Sequence, residues 1–188
     1  MQALKILGIS GSLRRGSFCT AVLRTLSEVH SHVQIDVRTL EDIPLYNADL
    51  DGEHTPEGVK KLKDSITAAD GLIVCSPEYN YGIPGVLKNA IDWASRPGFK
   101  SPLARKPALI ITASPGTAGG VRAQHQIREA LSATLARPIT RQHVAIPSVG
   151  TKIESGRLTD APTLALMAEA LRDLQAEIEL VHAATQSR

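Results

Sequence analysis

Short apolar runs of strand length alternate with helical patterns along the whole chain, and this alternation restricts the possible folds more than any other feature. The first run, residues 4–9 (LKILGI), stands almost at the N-terminus. In residues 33–40, Val33, Ile35 and Val37 alternate with polar residues, the period of a half-buried strand. Residues 71–75 (GLIVC) and 108–113 (ALIITA) are continuously apolar, as strands covered on both sheet faces are. A weaker fifth run lies at 142–146. Between the runs, Val22, Leu23 and Leu26 share one face of a first helix, and Val59, Leu62 and Ile66 share one face of a second. Thr55 is the expected N-cap of that second helix, with Pro56 at its first position. Further helices are predicted over 86–95, 121–135 and 160–182. Strands separated by helices pair in parallel through right-handed crossovers. The predicted fold is therefore α/β: a doubly wound five-stranded parallel sheet of order 2-1-3-4-5, with helices on both faces, forming a single domain over residues 1–188.

A sheet of that order binds ligands beyond the C-terminal strand ends, near the switch between strands 1 and 3. Three chemically distinctive loops converge there. The first, residues 10–17 (SGSLRRGS), joins a strand to a helix N-terminus. Free backbone N–H groups and the helix dipole favour an anion at such a place, and Ser10, Ser12 and Ser17 add hydroxyl donors. Arg14 supplies permanent planar charge. The loop lacks both the GKS/GKT ending of a nucleotide triphosphate loop and the G-x-G-x-x-G dinucleotide fingerprint. Hydroxyls in place of closely packed glycines favour a terminal monophosphate; an ordinary serine-capped turn is the competing account. The second loop, residues 76–85 (SPEYNYGIPG), holds two of the chain's three tyrosines between prolines, a surface for a flat heteroaromatic ring or for a neighbouring subunit. The third, residues 114–120 (SPGTAGG), has small residues that permit close approach to a ring, or simply form a surface turn.

Bulk properties narrow the partners. A net charge of +2, from 21 basic and 19 acidic residues, argues for neither nucleic acid nor a membrane surface. No stretch approaches the ~20 apolar residues of a membrane span, and no signal-peptide pattern opens the chain. Cys19 and Cys75 form neither a C-x-x-C pair nor a disulfide framework, so a reducing cytoplasm is the expected compartment. His125, His143 and His182 show no ligand spacing, and no metal is expected. Cys75 and Trp93 read as buried core residues.

Residues 11–17 (GSLRRGS) and 77–93 (PEYNYGIPGVLKNAIDW) together resemble the NADPH-dependent FMN reductase family, within the flavodoxin-like superfamily. The likeness is strongest to its soluble quinone and chromate reductase branch. The resemblance implies FMN bound without covalent attachment, its phosphate held by the first loop through Ser10, Ser12, Leu13, Arg14, Ser17, Phe18 and Cys19. It implies a flavin ring set against Pro77, Glu78, Tyr79, Asn80 and Tyr81 on one side and Ser114, Gly116, Gly119 and Gly120 on the other. NADPH or NADH is the implied hydride donor, with Tyr81 and Gly82 as candidate contacts. Arg15 flanks the first loop without being needed for FMN and is read as facing the 2′-phosphate of NADPH, a solvated loop arginine being the competing account. Quinones, chromate, azo compounds and ferric chelates are the implied acceptors, and a homodimer or homotetramer the implied assembly. The flavin carries the chemistry, so no catalytic acid, base or nucleophile is expected. Cys19 stands where relatives often have Asn, and Pro115-Gly116-Thr117 departs from the usual third loop. A flavodoxin-type electron carrier is the alternative, but such carriers are strongly acidic and this chain is not.

Overall fold

The apolar runs become the strands of one parallel sheet. In the computed structural model, which describes residues 3–30 and 33–186, β1 (Lys5–Ser10), β2 (Gln34–Arg38), β3 (Gly71–Ser76) and β4 (Pro107–Ala113) pair in the order β2-β1-β3-β4. The registers place Ser10 beside Cys75 and Ser76 beside Thr112, so β1, β3 and β4 end level with one another. The three loops emerge from that common edge.

The fifth position differs from the expected single strand. Two short segments, β5 (Arg137–Pro138) and β6 (Val144–Ile146), both pair with β4, one at its start and the other at its end. Between them the chain from Pro138 to Val144 takes a longer path than the β4 stretch from Ala108 to Ile111 that it runs beside. The doubly wound order 2-1-3-4-5 holds, with its last member broken in two.

Helices cover both faces because alternate strand residues point to opposite sides. Ile6, Ile73, Leu109 and Ile111 pack with Val22, Leu23 and Leu26 of α1 (Phe18–Val29). Met167, Leu171, Leu174 and Ile178 of α5 (Ala161–Gln186) complete that layer. Leu7, Ile9, Leu72, Val74 and Ile110 face the opposite layer. There α2 (Glu57–Ala68), α3 (Gly85–Ala94) and α4 (Val121–Ala133) contribute Leu62, Ile66, Leu87, Ile91, Ile127 and Leu131. Trp93 is fully buried, and its Nε1–H donates to the Pro44 carbonyl at 2.8 Å.

Two local features depart from the sequence reading. Pro56, not Thr55, occupies the N-cap of α2, and the Thr55 hydroxyl donates instead to Gly52 O at 2.8 Å. A small antiparallel hairpin, β7 (Ile153–Glu154) with β8 (Arg157–Leu158), precedes α5 and packs on α1. Among the described residues, no helix is long and apolar enough to cross a membrane.

Candidate functional site

The loop of residues 10–17 leaves β1 under tight constraint. Gly11 donates its N–H to Cys75 O at 2.8 Å, and a Cβ there would stand 2.8 Å from Ser76 Oγ. Only glycine lets the two strand ends approach this closely. Ser17 then caps α1, its Oγ accepting from Thr20 N at 3.2 Å. Phe18 and Cys19 open the helix, so their N–H groups have no intrahelical acceptor and are available to an anion. The Arg14 guanidinium lies 4.5 Å from the Phe18 ring centroid, a cation–π contact that holds the charge beside the helix start.

Ser10 behaves otherwise than expected. Its hydroxyl is fully buried, 2.8 Å from Thr20 Oγ1 and 3.5 Å from Ser12 O, so it braces the loop from beneath. Leu13 is half exposed.

In the second loop, Tyr79 and Gly82 exchange both backbone hydrogen bonds at 3.0 Å, closing a two-residue hairpin turn. Asn80 and Tyr81 sit in the left-handed region, at φ of 50° and 66°, as a type I′ turn requires. Asparagine tolerates that region; tyrosine adopts it at a cost. Three contacts with α4 hold the turn. Arg122 stacks on the Tyr81 ring at 4.3 Å, and Gln126 Oε1 accepts from Ile83 N at 2.9 Å. Glu78 Oε2 accepts from Arg122 N at 2.8 Å and Ala123 N at 3.2 Å. The N-cap residue of α4 is Gly120, at φ 79° and without a side chain, so Glu78 acts as a remote cap. Its carboxylate is thereby engaged with protein.

The third loop is positioned by β6: Ser114 N donates to Ile146 O at 3.1 Å, and Ser114 O accepts from Val149 N at 3.0 Å. Ser114 Oγ accepts from Gly116 N at 3.1 Å. Gly119, at φ 62°, lies so close to the backbone of residues 145–147 that a Cβ would stand 3.0 Å from it. These small residues serve chain packing and the entry to α4.

Between the loops opens a cleft of about 230 Å³, lined by Ser12, Arg14, Ser17, Phe18, Cys19, Pro77, Tyr79, Ala113 and Pro115. Seven of these belong to the residues that the family resemblance implied; Ala113 and Pro115 were missed, having no polar chemistry to mark them. Strand-end position is the one signal that pointed to Ala113. Ser10, Leu13, Glu78, Asn80, Tyr81, Ser114, Gly116, Gly119 and Gly120 do not line it. Arg15 opens onto a separate groove. Beneath the cleft, the neighbouring Cys19 thiol and burial push the Cys75 thiol above its usual range, so it stays protonated and is no nucleophile.

The donor set suits a mononucleotide. Hydroxyls, a guanidinium and helix-start N–H groups stand at one end for a phosphate monoester; prolines, a tyrosine and an alanine form an apolar slot at the other. The cleft is smaller than the roughly 300–1,000 Å³ typical of closed small-molecule pockets. A mononucleotide bound here would not be fully enclosed.

Comparison with known proteins gives the same reading. Residues 4–151 match the NADPH-dependent FMN reductase family. An NAD(P)H-dependent FMN reductase of Pseudomonas aeruginosa is 41% identical over 174 residues, 92% of this chain and 94% of that protein. A quinone reductase of Escherichia coli is 46% identical over 134 residues, covering 69% of this chain and 70% of its own. Among solved structures, FerB, a flavoenzyme NAD(P)H:(acceptor) oxidoreductase from Paracoccus denitrificans, superposes with a TM-score of 0.78 at 30% identity. That match covers 96% of this chain and 98% of FerB. With its flavodoxin-like sheet and these matches along most of its length, the chain belongs to the NADPH-dependent FMN reductase family.

Proposed function

We infer that the protein is an FMN-dependent NAD(P)H oxidoreductase acting on quinones, with its activity carried by a single domain. The observation that carries this reading is the cleft itself, anionic-ligand chemistry at one end and an apolar slot at the other. When bound, FMN supplies a ring that accepts hydride from a nicotinamide and passes reducing equivalents to an acceptor.

The chain's own residues bind and orient. Ser12 and Ser17 donate hydroxyls to the phosphate, the Phe18 and Cys19 N–H groups add helix-start donors, and Arg14 neutralises the charge. Pro77, Tyr79, Ala113 and Pro115 form the slot for the ring. Tyr81, about 70% exposed and steadied by Arg122, borders the approach of the nicotinamide together with Gly82. Chromate, azo compounds and ferric chelates are further acceptors, since a cofactor that is not fully enclosed selects more by reduction potential than by shape.

Leu45 and Phe99, 84% and 85% exposed, are candidate contacts for a second copy of the chain in a homodimer or homotetramer. A cytoplasmic location is supported by two buried cysteines that remain free thiols. The test is direct. Purified protein incubated with FMN and desalted retains a yellow chromophore absorbing at roughly 450 nm, and oxidises NADPH when a quinone is added. Protein that stays colourless after this treatment overturns the reading.

A further inference from the structure

The tyrosine turn is strained, and both of its ends are fastened to α4. Asn80 and Tyr81 take left-handed backbone between the paired Tyr79 and Gly82. A tyrosine persists in that region only where its surroundings over-determine it. Before the turn, Glu78 accepts from Arg122 N and Ala123 N. After it, Ile83 donates its N–H to Gln126 Oε1 at 2.9 Å. Arg122 and Gln126 are four residues apart on α4, so the Tyr81 stack and the Ile83 anchor lie on one face of the helix.

Gln126 also accounts for Gly82. A Cβ at Gly82 would stand 2.8 Å from Gln126 Oε1 and 3.2 Å from its Nε2. Gly82 does not take the left-handed region, so the turn's backbone does not call for glycine there; the amide lying across it does. Gln126 itself is exposed, and the core beneath α4 is built by Ala123, Ile127 and Leu131. Its side chain serves the turn, not the sheet.

We propose that Gln126 is a positioning residue: by holding Ile83 and lying against Gly82 it keeps Tyr81 at the rim of the cleft, and so governs how tightly the nicotinamide and the quinone dock. The proposal rests on the functional reading above. The two fastenings divide the work. Glu78 directly precedes Tyr79, which lines the cleft, and it stays in place when Gln126 is removed. Gln126 holds the far end, where Tyr81 stands outside the cleft wall. The phosphate end is built from Ser12, Arg14, Ser17, Phe18 and Cys19, on another part of the chain. Loosening the far end therefore affects the second substrate and spares the grip on FMN.

The experiment compares FMN-loaded wild type with Gln126→Ala, Gln126→Glu, Gly82→Ala and the double variant Gly82→Ala/Gln126→Ala. Flavin reduction by NADPH is followed anaerobically by stopped flow, which separates the apparent dissociation constant from the limiting rate. The steady-state KM for 1,4-benzoquinone, the dissociation constant for FMN and the melting temperature are measured beside it. In Gln126→Ala the NADPH constant and the quinone KM are expected to rise about fivefold, the effect of one lost hydrogen bond. The limiting rate, the FMN constant and the melting temperature hold. Gln126→Glu keeps an oxygen for Ile83 N and restores most of the affinity. Gly82→Ala pushes the amide aside, so it raises the same constants and adds nothing when Gln126 is already alanine. Unchanged NADPH and quinone constants in Gln126→Ala overturn the proposal, as do additive effects in the double variant. A rise accompanied by equal loss of FMN affinity or by a falling melting temperature also overturns it, because the role is then only structural. Wild type that takes up no FMN, or takes it up and leaves NADPH unoxidised, brings down the functional reading instead.

Discussion

Arg14 and Arg15 carry the same side chain on adjacent residues, and the turn before α1 sends them into different cavities. Nothing in their identity distinguishes them; the stacking of Arg14 on Phe18 does. Arg14 is exposed, so its removal costs the fold little. In Arg14→Ala the dissociation constant for FMN, followed by quenching of flavin fluorescence, is expected to rise about tenfold, while the melting temperature scarcely moves. An unchanged dissociation constant contradicts the assignment of Arg14 to the phosphate. Gly11 is the opposite case, a residue without a side chain on which the loop depends. A methyl there meets Ser76 Oγ, and that hydroxyl is already held by Pro77 O at 2.8 Å. Leu87 Cδ2, 3.1 Å from the same position, blocks the other direction. Gly11→Ala is expected to cost about 1–3 kcal/mol, the usual penalty for overpacking, and to weaken FMN binding along with stability. Wild-type urea midpoints in that variant would show that the strand ends have room to part.

At the scale of elements, Glu78 joins the tyrosine turn to α4. Its carboxylate accepts from Arg122 N and from Ala123 N, the latter shared with Gly120 O, and its side chain is only 11% exposed. Glu78→Ala is expected to lower unfolding free energy by about 1 kcal/mol, as the loss of a helix cap does. Glu78→Gln, which keeps an acceptor oxygen, loses less. Identical losses in the two variants would mean that the cap contributes nothing. Such a contact between distant elements is invisible in one sequence, and the same reason explains the other misplacements. Glycines at 116, 119 and 120 read as places where a ligand approaches, yet Gly119 and Gly120 are needed for left-handed backbone and for the approach of β6 and Glu78. Ser10 reads as a phosphate donor because it opens the motif, but its buried hydroxyl is hydrogen-bonded to Thr20 Oγ1 in the first turn of α1. By contrast β3 and β4 were legible because every residue of both is buried, and continuous burial needs continuous apolar sequence. The β7–β8 hairpin has two residues per strand, too few for any periodicity, and is held by its packing on α1. The broken fifth strand escaped notice because β5 is merely Arg137–Pro138, a pair that no strand pattern includes.

For the whole molecule, α5 closes one face of the sheet, and the hold on its first turn reports on global stability. Asp160 accepts from Thr163 N at 3.0 Å and from Thr163 Oγ1 at 2.5 Å, with Lys152 Nζ 3.4 Å away. The Thr163 hydroxyl and N–H, and then the lysine charge, hold the Asp160 carboxyl below its ordinary value of 3.8. The Arg96 guanidinium does the same for Asp51. A carboxyl with a lowered pKa in the folded state binds fewer protons there than in the unfolded chain, so acid favours unfolding. Its contribution is complete above 3.8 and disappears as pH falls through the lower, folded value. Urea midpoints measured from pH 7 downward should slip a little below pH 6.5, because burial, and then the neighbouring His125, hold the folded His143 below its ordinary value. They should then decline more steeply below 4.5 as Glu41, Asp51 and Asp160 are protonated. Asp160→Asn retains an oxygen for Thr163 but cannot ionise. It should therefore be less stable than wild type at pH 7 and decline less steeply in acid, so that the two curves converge. Asp51 continues to titrate in that variant, which leaves part of the acid slope in place. Parallel curves for Asp160→Asn and wild type would show that the charge on Asp160, as distinct from its hydrogen bonds, does nothing to keep α5 on the sheet.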